Sequence, residues 1–188
     1  MRRIVAPLWL CGLALAPFAA QAADWKMDPA GSKLEFVASF EKAPAPGVFR
    51  EFDVHLLRFD PEKPAGASLD VTIRITSADM GIADVNKEIR GKDWFDYAGF
   101  PQAEFHSIDL RRTEGSRYLA RGALSLKGVK RPVEVPFTWT ASAGAAVMEG
   151  EFTLKRGDFG IGAGEWKATD TIGADVKVRI RVKLRRAD

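Results

Sequence analysis

Apolar and polar side chains alternate with a period of two along much of the chain. The clearest case is DVKVRIRVKL (175–184), in which five aliphatic residues alternate with charged ones. Successive side chains of a β-strand point to opposite faces, so the pattern predicts a strand with one buried and one solvated face. SLDVTIRIT (68–76) and VEVPFTWT (133–140) repeat it. In these two segments we expect the following side chains to point inward: Leu69, Val71, Ile73, Ile75, Val133, Val135, Phe137 and Trp139.

Weaker alternating segments bring the number of predicted strands to about eight. They are KLEFVASF, REFDVHLLRF, QAEFHSIDL, RYLARGALSL and VMEGEFTL, and APAPG, DPEKPAGA, RTEGS and KGVKRP are expected to be turns between strands. Strands of this kind in one all-β domain form an antiparallel barrel or a two-layer sandwich. We predict a closed eight-stranded barrel, because closure leaves no exposed strand edge. Its interior is then just wide enough for one elongated small ligand.

One segment, ADVNKEIRGKDWFD (83–96), breaks the strand pattern. There Asp84 is expected to cap a short helix that runs from Val85 to about Arg90. Val85 and Ile89 lie on one side of that helix. The predicted barrel therefore carries one or two short helices.

Residues 1–22 have the three-part pattern of a secretory signal peptide, and residues 23–188 are predicted to form one domain. Two arginines precede an apolar run over residues 4–18, and small residues follow up to Ala22, after which we expect cleavage. The single cysteine, Cys11, lies within this segment. The exported domain must therefore be stabilised by its core rather than by disulfides.

Net charge argues against a nucleic-acid partner. The sequence has 28 basic and 25 acidic residues, and removal of Arg2 and Arg3 leaves 26 against 25. The basic run on the last predicted strand is best explained as a solvated outer face. The alternative is a transient contact with anionic lipid headgroups at a membrane surface. The run comprises Lys177, Arg179, Arg181, Lys183, Arg185 and Arg186.

Candidate catalytic groups are few. His55 and His106 have no nucleophile motif nearby and no evident carboxylate partners, so we expect strand-surface histidines rather than catalytic or metal-binding ones. Asp93 and Asp96 offer a carboxylate pair for acid–base chemistry, but turn formation is the preferred explanation. The sequence therefore predicts a protein that is not an enzyme and has neither a metal nor a cofactor.

The stretch RGDFGIGAGEW (156–166) admits three interpretations: an adhesion tripeptide, a phosphate-binding glycine loop, or a connection between strands. A phosphate loop needs its glycines spaced G-x-G-x-x-G between a strand and a helix, and here a strand is expected to follow. We favour the connection, in which glycines permit positive φ. Phe159 and Trp166 are expected to fold inward as a plug.

Several segments together resemble the YceI-like family of secreted bacterial proteins. They are WKMDPAGSKLEF, FDPEKPAGASLDVTI, IRGKDWFDYAGFPQAEFHS, ARGALSLKGVKRPVEVPF and LKRGDFGIG, in the order and spacing typical of that family. The resemblance implies a periplasmic, lipocalin-like barrel that binds polyisoprenoid chains such as polyprenyl phosphates or quinone tails and is not a catalyst. Relatives include dimers, which leaves a homodimer open.

One position departs from the family pattern. Many relatives carry Arg-Asp-x-His-Leu on the short helix, whereas this chain has Ile89 where the histidine would lie. A polar contact from that histidine therefore does not transfer. The GEW that follows the Asp-Phe-Gly turn resembles a branch often encoded near b-type cytochromes, which favours a quinone-related ligand.

We predict that large apolar side chains of the interior contact this ligand. The alternatives are a solid-core module that docks a membrane partner of the cytochrome b type, and a hydrolase of small substrates that uses His106. The predicted contact residues are Phe36, Phe52, Ile73, Trp94, Phe95, Phe105, Phe137, Trp139, Phe152, Phe159 and Ile180.

Overall fold

The structure, a computed structural model, describes residues 23–187. The predicted signal peptide lies outside the described residues. Residues 23–187 contain one α-helix, α1 (Ala83–Glu88), and three 3-10 turns, Ile75–Ser77, Arg156–Phe159 and Gly164–Lys167; none of these helices is long and apolar enough to cross a bilayer. The strands are β1 (Ala23–Phe40), β2 (Ala43–Phe49), β3 (Phe52–Phe59), β4 (Ser68–Arg74), β5 (Ala78–Asp79), β6 (Gln102–Glu114), β7 (Arg117–Leu126), β8 (Val129–Ser142), β9 (Ala145–Lys155) and β10 (Asp175–Arg186).

The strands form one antiparallel sheet that closes on itself. The order around the ring is β10, β9, β8, β7, β6, β4, β3 and β1, and β1 pairs back with β10. One edge of β1 is shared, because residues 23–25 pair with β3 and residues 34–40 pair with β2. β2 and β3 together fill one position of the ring, and the short β5 pairs with the end of β2. The predicted closed eight-stranded antiparallel barrel is confirmed.

The prediction of a turn at APAPG (43–47) is wrong, because these residues belong to β2. Pro44 and Pro46 lie opposite Ser39 and Val37 of β1. Because the two prolines are two residues apart, their nitrogens point to the same side of β2. β5 pairs with β2 only at Val48 and Phe49, so the prolines lie on an edge where no N–H donor is needed.

Three turns are shorter than the sequence suggested. The β1–β2 turn consists of Glu41 and Lys42, both with positive φ (48° and 67°), as in a tight two-residue hairpin. RTEGS and KGVKRP both contribute residues to strands. The turns within them shrink to residues 115–116 and 127–128.

The short helix begins two residues earlier than predicted and has no side-chain cap. Ile82 occupies the N-cap position, and Asp84 lies in the first turn, where a negative charge favours the helix dipole. The side of the helix that carries Val85 and Ile89 faces the core, since Ile89 is buried and Val85 packs against it.

Packed rings fill one end of the barrel, which we call the aromatic end. Phe59 lies 4.7 Å from Trp139 and 5.1 Å from Tyr118, both edge to face, and Trp25 contacts Trp139 at 5.0 Å. The Trp25 indole N–H donates to the Phe59 carbonyl at 3.1 Å. Phe137 completes the cluster at 5.5 Å from Tyr118. Offset and edge-to-face pairs of this kind add about 0.5–1.5 kcal/mol each beyond burial.

The opposite end, which we call the loop end, carries the two longest connections, residues 75–101 and residues 156–174, together with the β1–β2 turn. The connection 156–174 reaches the β1–β2 turn, because the Glu41 N–H donates to the Thr171 carbonyl at 2.7 Å. The Ile75 N–H donates to the Pro101 carbonyl at 2.9 Å, which closes the base of residues 75–101. The barrel interior therefore lies between a ring-packed end and a loop-covered end.

Candidate functional site

An apolar cavity lies inside the barrel. It has twenty lining residues, all apolar, contributed by every strand of the ring and by Ile75. The cavity has a volume of about 120 Å³. This is smaller than the roughly 300–1,000 Å³ of pockets that hold drug-sized molecules. The alternation of apolar residues in the sequence thus produces an apolar interior that is not completely filled.

Five of the eleven predicted contact residues line this cavity: Phe52, Ile73, Phe105, Phe152 and Ile180. They come from β3, β4, β6, β9 and β10, so the barrel brings together residues that are distant in the sequence. Their role in binding stays a prediction.

The other six lie at the two ends of the barrel. Phe137 and Trp139 belong to the aromatic end. The ring centroids of Phe36 and Phe95 lie 6.4 Å apart, and both rings pack near Phe49. Phe49 lines the cavity, whereas Phe36 and Phe95 do not.

Trp94 and Phe159 both belong to the loop end. Trp94 packs against Trp166 at 5.7 Å. Phe159 is buried in the core. For these two residues as well, contact with a ligand stays a prediction.

Sequence reasoning missed most of the lining, which is aliphatic. Leu69 and Val71 were predicted to point inward but were not proposed as ligand contacts, and Leu124, Leu126 and Val178 also line the cavity. The period of two could have found them, since they are inward positions of alternating strands. The prediction favoured large rings, whereas a cavity persists where side chains are smaller.

Arg156 organises the loop end. Its guanidinium is buried and donates to six backbone carbonyls at 2.7 to 3.0 Å, those of Ile161, Gly162, Trp166, Ala168, Ile172 and Gly173. Burial lowers the pKa of Arg156 from its usual value. A buried arginine cannot serve as an adhesion ligand, so RGDFGIGAGEW is a strand connection, as favoured.

Glycines let the connection wrap around this arginine. Gly160, Gly162 and Gly164 have φ of 65°, 71° and 60°, in the region that side chains rarely adopt. A Cβ at Gly162 would also collide with the Arg156 guanidinium. Phe159 is 3% exposed, as expected of an inward-folded ring. Trp166 is only half-buried, against Trp94.

Two further contacts tie the loop-end segments to each other. The Asp93 carbonyl accepts from the N–H groups of Gly162 and Ala163 at 2.7 and 2.8 Å. Lys127 Nζ donates to the Lys92 and Gly160 carbonyls at 2.7 Å each, and burial lowers its pKa. The loop end is therefore a connected cover and not a set of independent loops.

Two polar atoms at the loop end are buried without a hydrogen-bond partner within residues 23–187. They are Trp94 Nε1 and Tyr97 Oη, and burial raises the pKa of the Tyr97 phenol. Buried donors of this kind usually find a partner. Both are candidate donors to an oxygen of a ligand headgroup.

The histidines lie on the outer face of the barrel and not at the cavity. His106 is exposed between Asp70 and Glu104, at 3.2 and 3.4 Å, and the hydrogen bonds that its ring makes to these two carboxylates raise its pKa. His55 contacts Asp53 at 2.9 Å. The expectation that neither histidine has a carboxylate partner is therefore wrong. Asp53 and Glu104 lie two residues from their histidines on the same face of the same strand, and Asp70 lies opposite His106 on β4. No group of three metal-binding side chains occurs among residues 23–187.

The remaining charged candidates have structural roles. Asp96 Oδ1 accepts from the Gly99 N–H at 3.4 Å, as expected of a turn-forming aspartate. On the outer face of β10, Arg179 and Lys177 pair with Glu151 of β9 at 2.7 and 3.1 Å, and Arg181 pairs with Glu149. The basic run is thus partly neutralised, in keeping with a solvated outer face.

The closed antiparallel ring and its apolar cavity define a lipocalin-like barrel. The chain belongs to the YceI-like domain family, whose model matches residues 25–184. This confirms the family suggested by the sequence.

Among curated relatives, a UPF0312 protein of Yersinia pestis is 32% identical over 151 residues, 76% of this chain and 78% of that protein. A UPF0312 protein of Photorhabdus laumondii is 39% identical over 87 residues, which are 46% of this chain and 44% of that protein. The shorter of these matches therefore spans less than half of either protein.

Similar solved structures include BcnA of Burkholderia cenocepacia, with a TM-score of 0.81 and 34% identity over 84% of this chain and 98% of that one. A polyisoprenoid binding domain from Saccharophagus degradans has a TM-score of 0.70 and 17% identity, over 88% of this chain and 99% of that one. The latter likeness shows the fold alone.

Proposed function

We propose that this protein is a periplasmic binding protein that holds the apolar chain of an isoprenoid lipid, a polyprenyl phosphate or a quinone, for transport, storage or the envelope stress response. The observation that carries the proposal is the cavity, since its twenty lining residues are all apolar. Such a wall rewards burial of hydrocarbon and imposes no hydrogen-bonding pattern. The structural relative from Saccharophagus degradans, a polyisoprenoid binding domain, supports the same ligand class.

The energetics of chain burial are sufficient for useful affinity. Each buried methylene contributes about 0.8 kcal/mol. Micromolar binding needs about 8 kcal/mol net, after association and ordering costs of at least several kcal/mol. Three or four isoprenoid units, with about five carbons each, offset those costs. Affinity then comes from chain length, and discrimination comes from the headgroup.

The headgroup is best placed at the loop end. Trp94 Nε1 and Tyr97 Oη are buried there without partners, and both can donate to a phosphate or quinone oxygen. The aromatic end has one such donor, Trp139 Nε1, but its rings pack against one another and the indole of Trp25 already donates to Phe59.

The two alternatives fit the geometry less well. His106 lies on the outer face among Asp70 and Glu104, remote from any enclosed pocket, which argues against hydrolysis at this residue. A solid-core docking module would have a filled barrel, whereas this interior contains an apolar cavity.

A cavity-filling substitution tests the proposal. Val178 lines the cavity on β10, and its neighbour Lys177 points outward. We expect Val178→Trp to fold and to lose at least about tenfold in affinity for geranylgeraniol, because the indole occupies space that the chain needs. Lys177→Trp is the matched control and should bind as the wild type does.

Two measurements are needed. Tryptophan fluorescence titration gives the affinities, and native mass spectrometry of protein purified from its host identifies the co-purifying lipid. A folded Val178→Trp variant that binds normally, or a wild-type protein that carries no lipid, would show that the cavity is not the binding site.

A further inference from the structure

The barrel wall is not uniformly hydrogen-bonded around the cavity. β7 and β8 pair over ten residue pairs, and β9 and β10 over eleven. β8 and β9 pair only over residues 138–142 and 145–149, beside their turn at the aromatic end. Within the described chain, residues 129–137 of β8 and 150–155 of β9 are neighbours without a backbone ladder. We call this stretch the seam.

Prolines in β8 explain why the ladder stops. The Pro136 carbonyl points at Gly150 of β9, where a Cβ would collide with it. The N and C=O groups of one residue point to the same side of a strand, so the nitrogen of Pro136 also faces β9. Pro132, four residues earlier, faces the same way. Neither nitrogen carries a hydrogen, so this edge of β8 lacks two of its donors.

Side chains close the seam instead of hydrogen bonds. Val133 and Val135 of β8 and Phe152 and Leu154 of β9 line the cavity on its two sides. Phe152 and Leu154 are half-buried, although Met148, on the same face of β9 in the paired part, is fully buried. The interior is therefore separated from solvent here by side chains that can change rotamer.

The seam has a fixed boundary at each end. Towards the aromatic end, Pro136 and Gly150 are in contact, and the ladder follows from Thr138 onward. Towards the loop end, Arg131 Nε donates to the Asp158 carbonyl at 3.4 Å. These contacts confine any opening to the stretch beside the cavity.

We propose that the apolar ligand enters and leaves the barrel sideways, through the seam between β8 and β9. The aromatic end is filled by packed rings, and the loop end is held by the hydrogen bonds of Arg156 and Lys127. Passage through either end would disrupt many contacts, whereas passage at the seam breaks no backbone ladder. This inference rests on the proposed function, because it concerns the route of the same ligand.

A reversible cross-link across the seam tests the route. Glu134 and Thr153 are exposed on the outer face on either side of it and do not line the cavity. The variant Glu134→Cys with Thr153→Cys is folded first and then joined by a short bis-maleimide that contains a reducible disulfide. Residues 23–187 contain no native cysteine that would compete. The control is Thr140→Cys with Val147→Cys, a pair in the hydrogen-bonded part of the same two strands.

The rate at which bound cis-parinaric acid is displaced by excess geranylgeraniol is then measured by stopped-flow fluorescence. We expect the seam cross-link to slow release about tenfold or more and reduction to restore it, while the control cross-link has no effect. An unchanged rate in the cross-linked seam variant would overturn the route and leave the proposed function intact. Failure of the unmodified protein to bind either probe would overturn both.

Hydrogen exchange of the ligand-free protein gives a second, independent readout. The amide of Glu134 faces β9 across the seam, and that of its neighbour Val135 faces β7, with which it pairs. We expect Glu134 to exchange about a hundredfold faster than Val135, because only the latter is protected by a ladder. Equal protection of the two amides would show that the seam is closed by hydrogen bonds and would refute the proposal.

Discussion

Replacement of Arg156 by methionine tests whether one buried cation holds the loop end together. Arg156 is the one charged residue buried within residues 23–187, and six carbonyls accept from its guanidinium. A guanidinium has five N–H groups, so at least one of them is shared between two carbonyls. Methionine preserves much of the aliphatic stem and removes every donor.

The expected loss of stability follows from these contacts. A hydrogen bond to a charged group contributes about 1.5–3 kcal/mol, but the carbonyls regain part of this by hydration once the loop loosens. A buried acceptor that is left without its donor costs about 1–3 kcal/mol, and several of the six carbonyls would be left so. We therefore expect Arg156→Met to lower the free energy of unfolding by about 3–5 kcal/mol, a large share of the roughly 5–15 kcal/mol of a typical domain. Arg156→Lys, with three donors at one point, should lose less.

Urea unfolding followed by tryptophan fluorescence measures these differences. The matched control is Arg179→Met, which removes an exposed, solvent-screened ion pair with Glu151 and should leave the urea midpoint nearly unchanged. Hydrogen exchange should show new mobility in residues 160–173 and none in the aromatic end. A loss below about 1 kcal/mol for Arg156→Met, with unchanged exchange, would refute the assigned role.

Two further predictions concern the same end of the barrel. Phe159→Ala should lower stability by about 3–5 kcal/mol and reduce lipid retention in native mass spectra, because a buried ring is removed from the cover; if neither quantity changed, Phe159 would not be a plug. The pKa of Asp79 is lowered from 3.8 to about 2 by hydrogen bonds from Asn86, Gly81 and Arg50, so its contribution to stability is present above the unfolded pKa and is lost as pH falls towards 2. The difference in urea midpoint between wild type and Asp79→Asn should therefore shrink on acidification, and a constant difference would contradict this reasoning.

The alternation of apolar and polar side chains was sufficient to predict the closed barrel, because a two-residue period indicates which residues face the interior. It was insufficient where the ladder is irregular. β1 contains a register shift between Asp28 and Lys33, and it begins at Ala23, ten residues before the predicted strand KLEFVASF. β6 has a similar irregularity between Ser107 and Asp109, beside the exposed Ile108. Bulges keep a strand intact while they alter its pattern, so they are difficult to detect from sequence.

The site was harder to predict than the fold because a cavity is a difference between two volumes. Large rings such as Phe137 and Trp139 were natural candidates, yet they fill the space around them and close the aromatic end. Empty space remains where Val71, Leu124 and Val178 meet across the barrel. The alternation of residues indicates in which direction each side chain points, whereas the volume of the cavity depends on how closely neighbouring side chains pack.

The most informative local conflict in the sequence is in VEVPFTWT, where a clear strand pattern contains a proline. Proline is excluded from the interior of a fully paired sheet, so the pattern and Pro136 together imply a strand with one unpaired edge. A closed barrel has no free edge strand, so the unpaired edge of such a strand must lie between two neighbouring strands of the wall. The structure has it between β8 and β9, beside the cavity. Disagreement between side-chain pattern and backbone chemistry is expected at functional sites, and here it coincides with the route that we propose for the ligand.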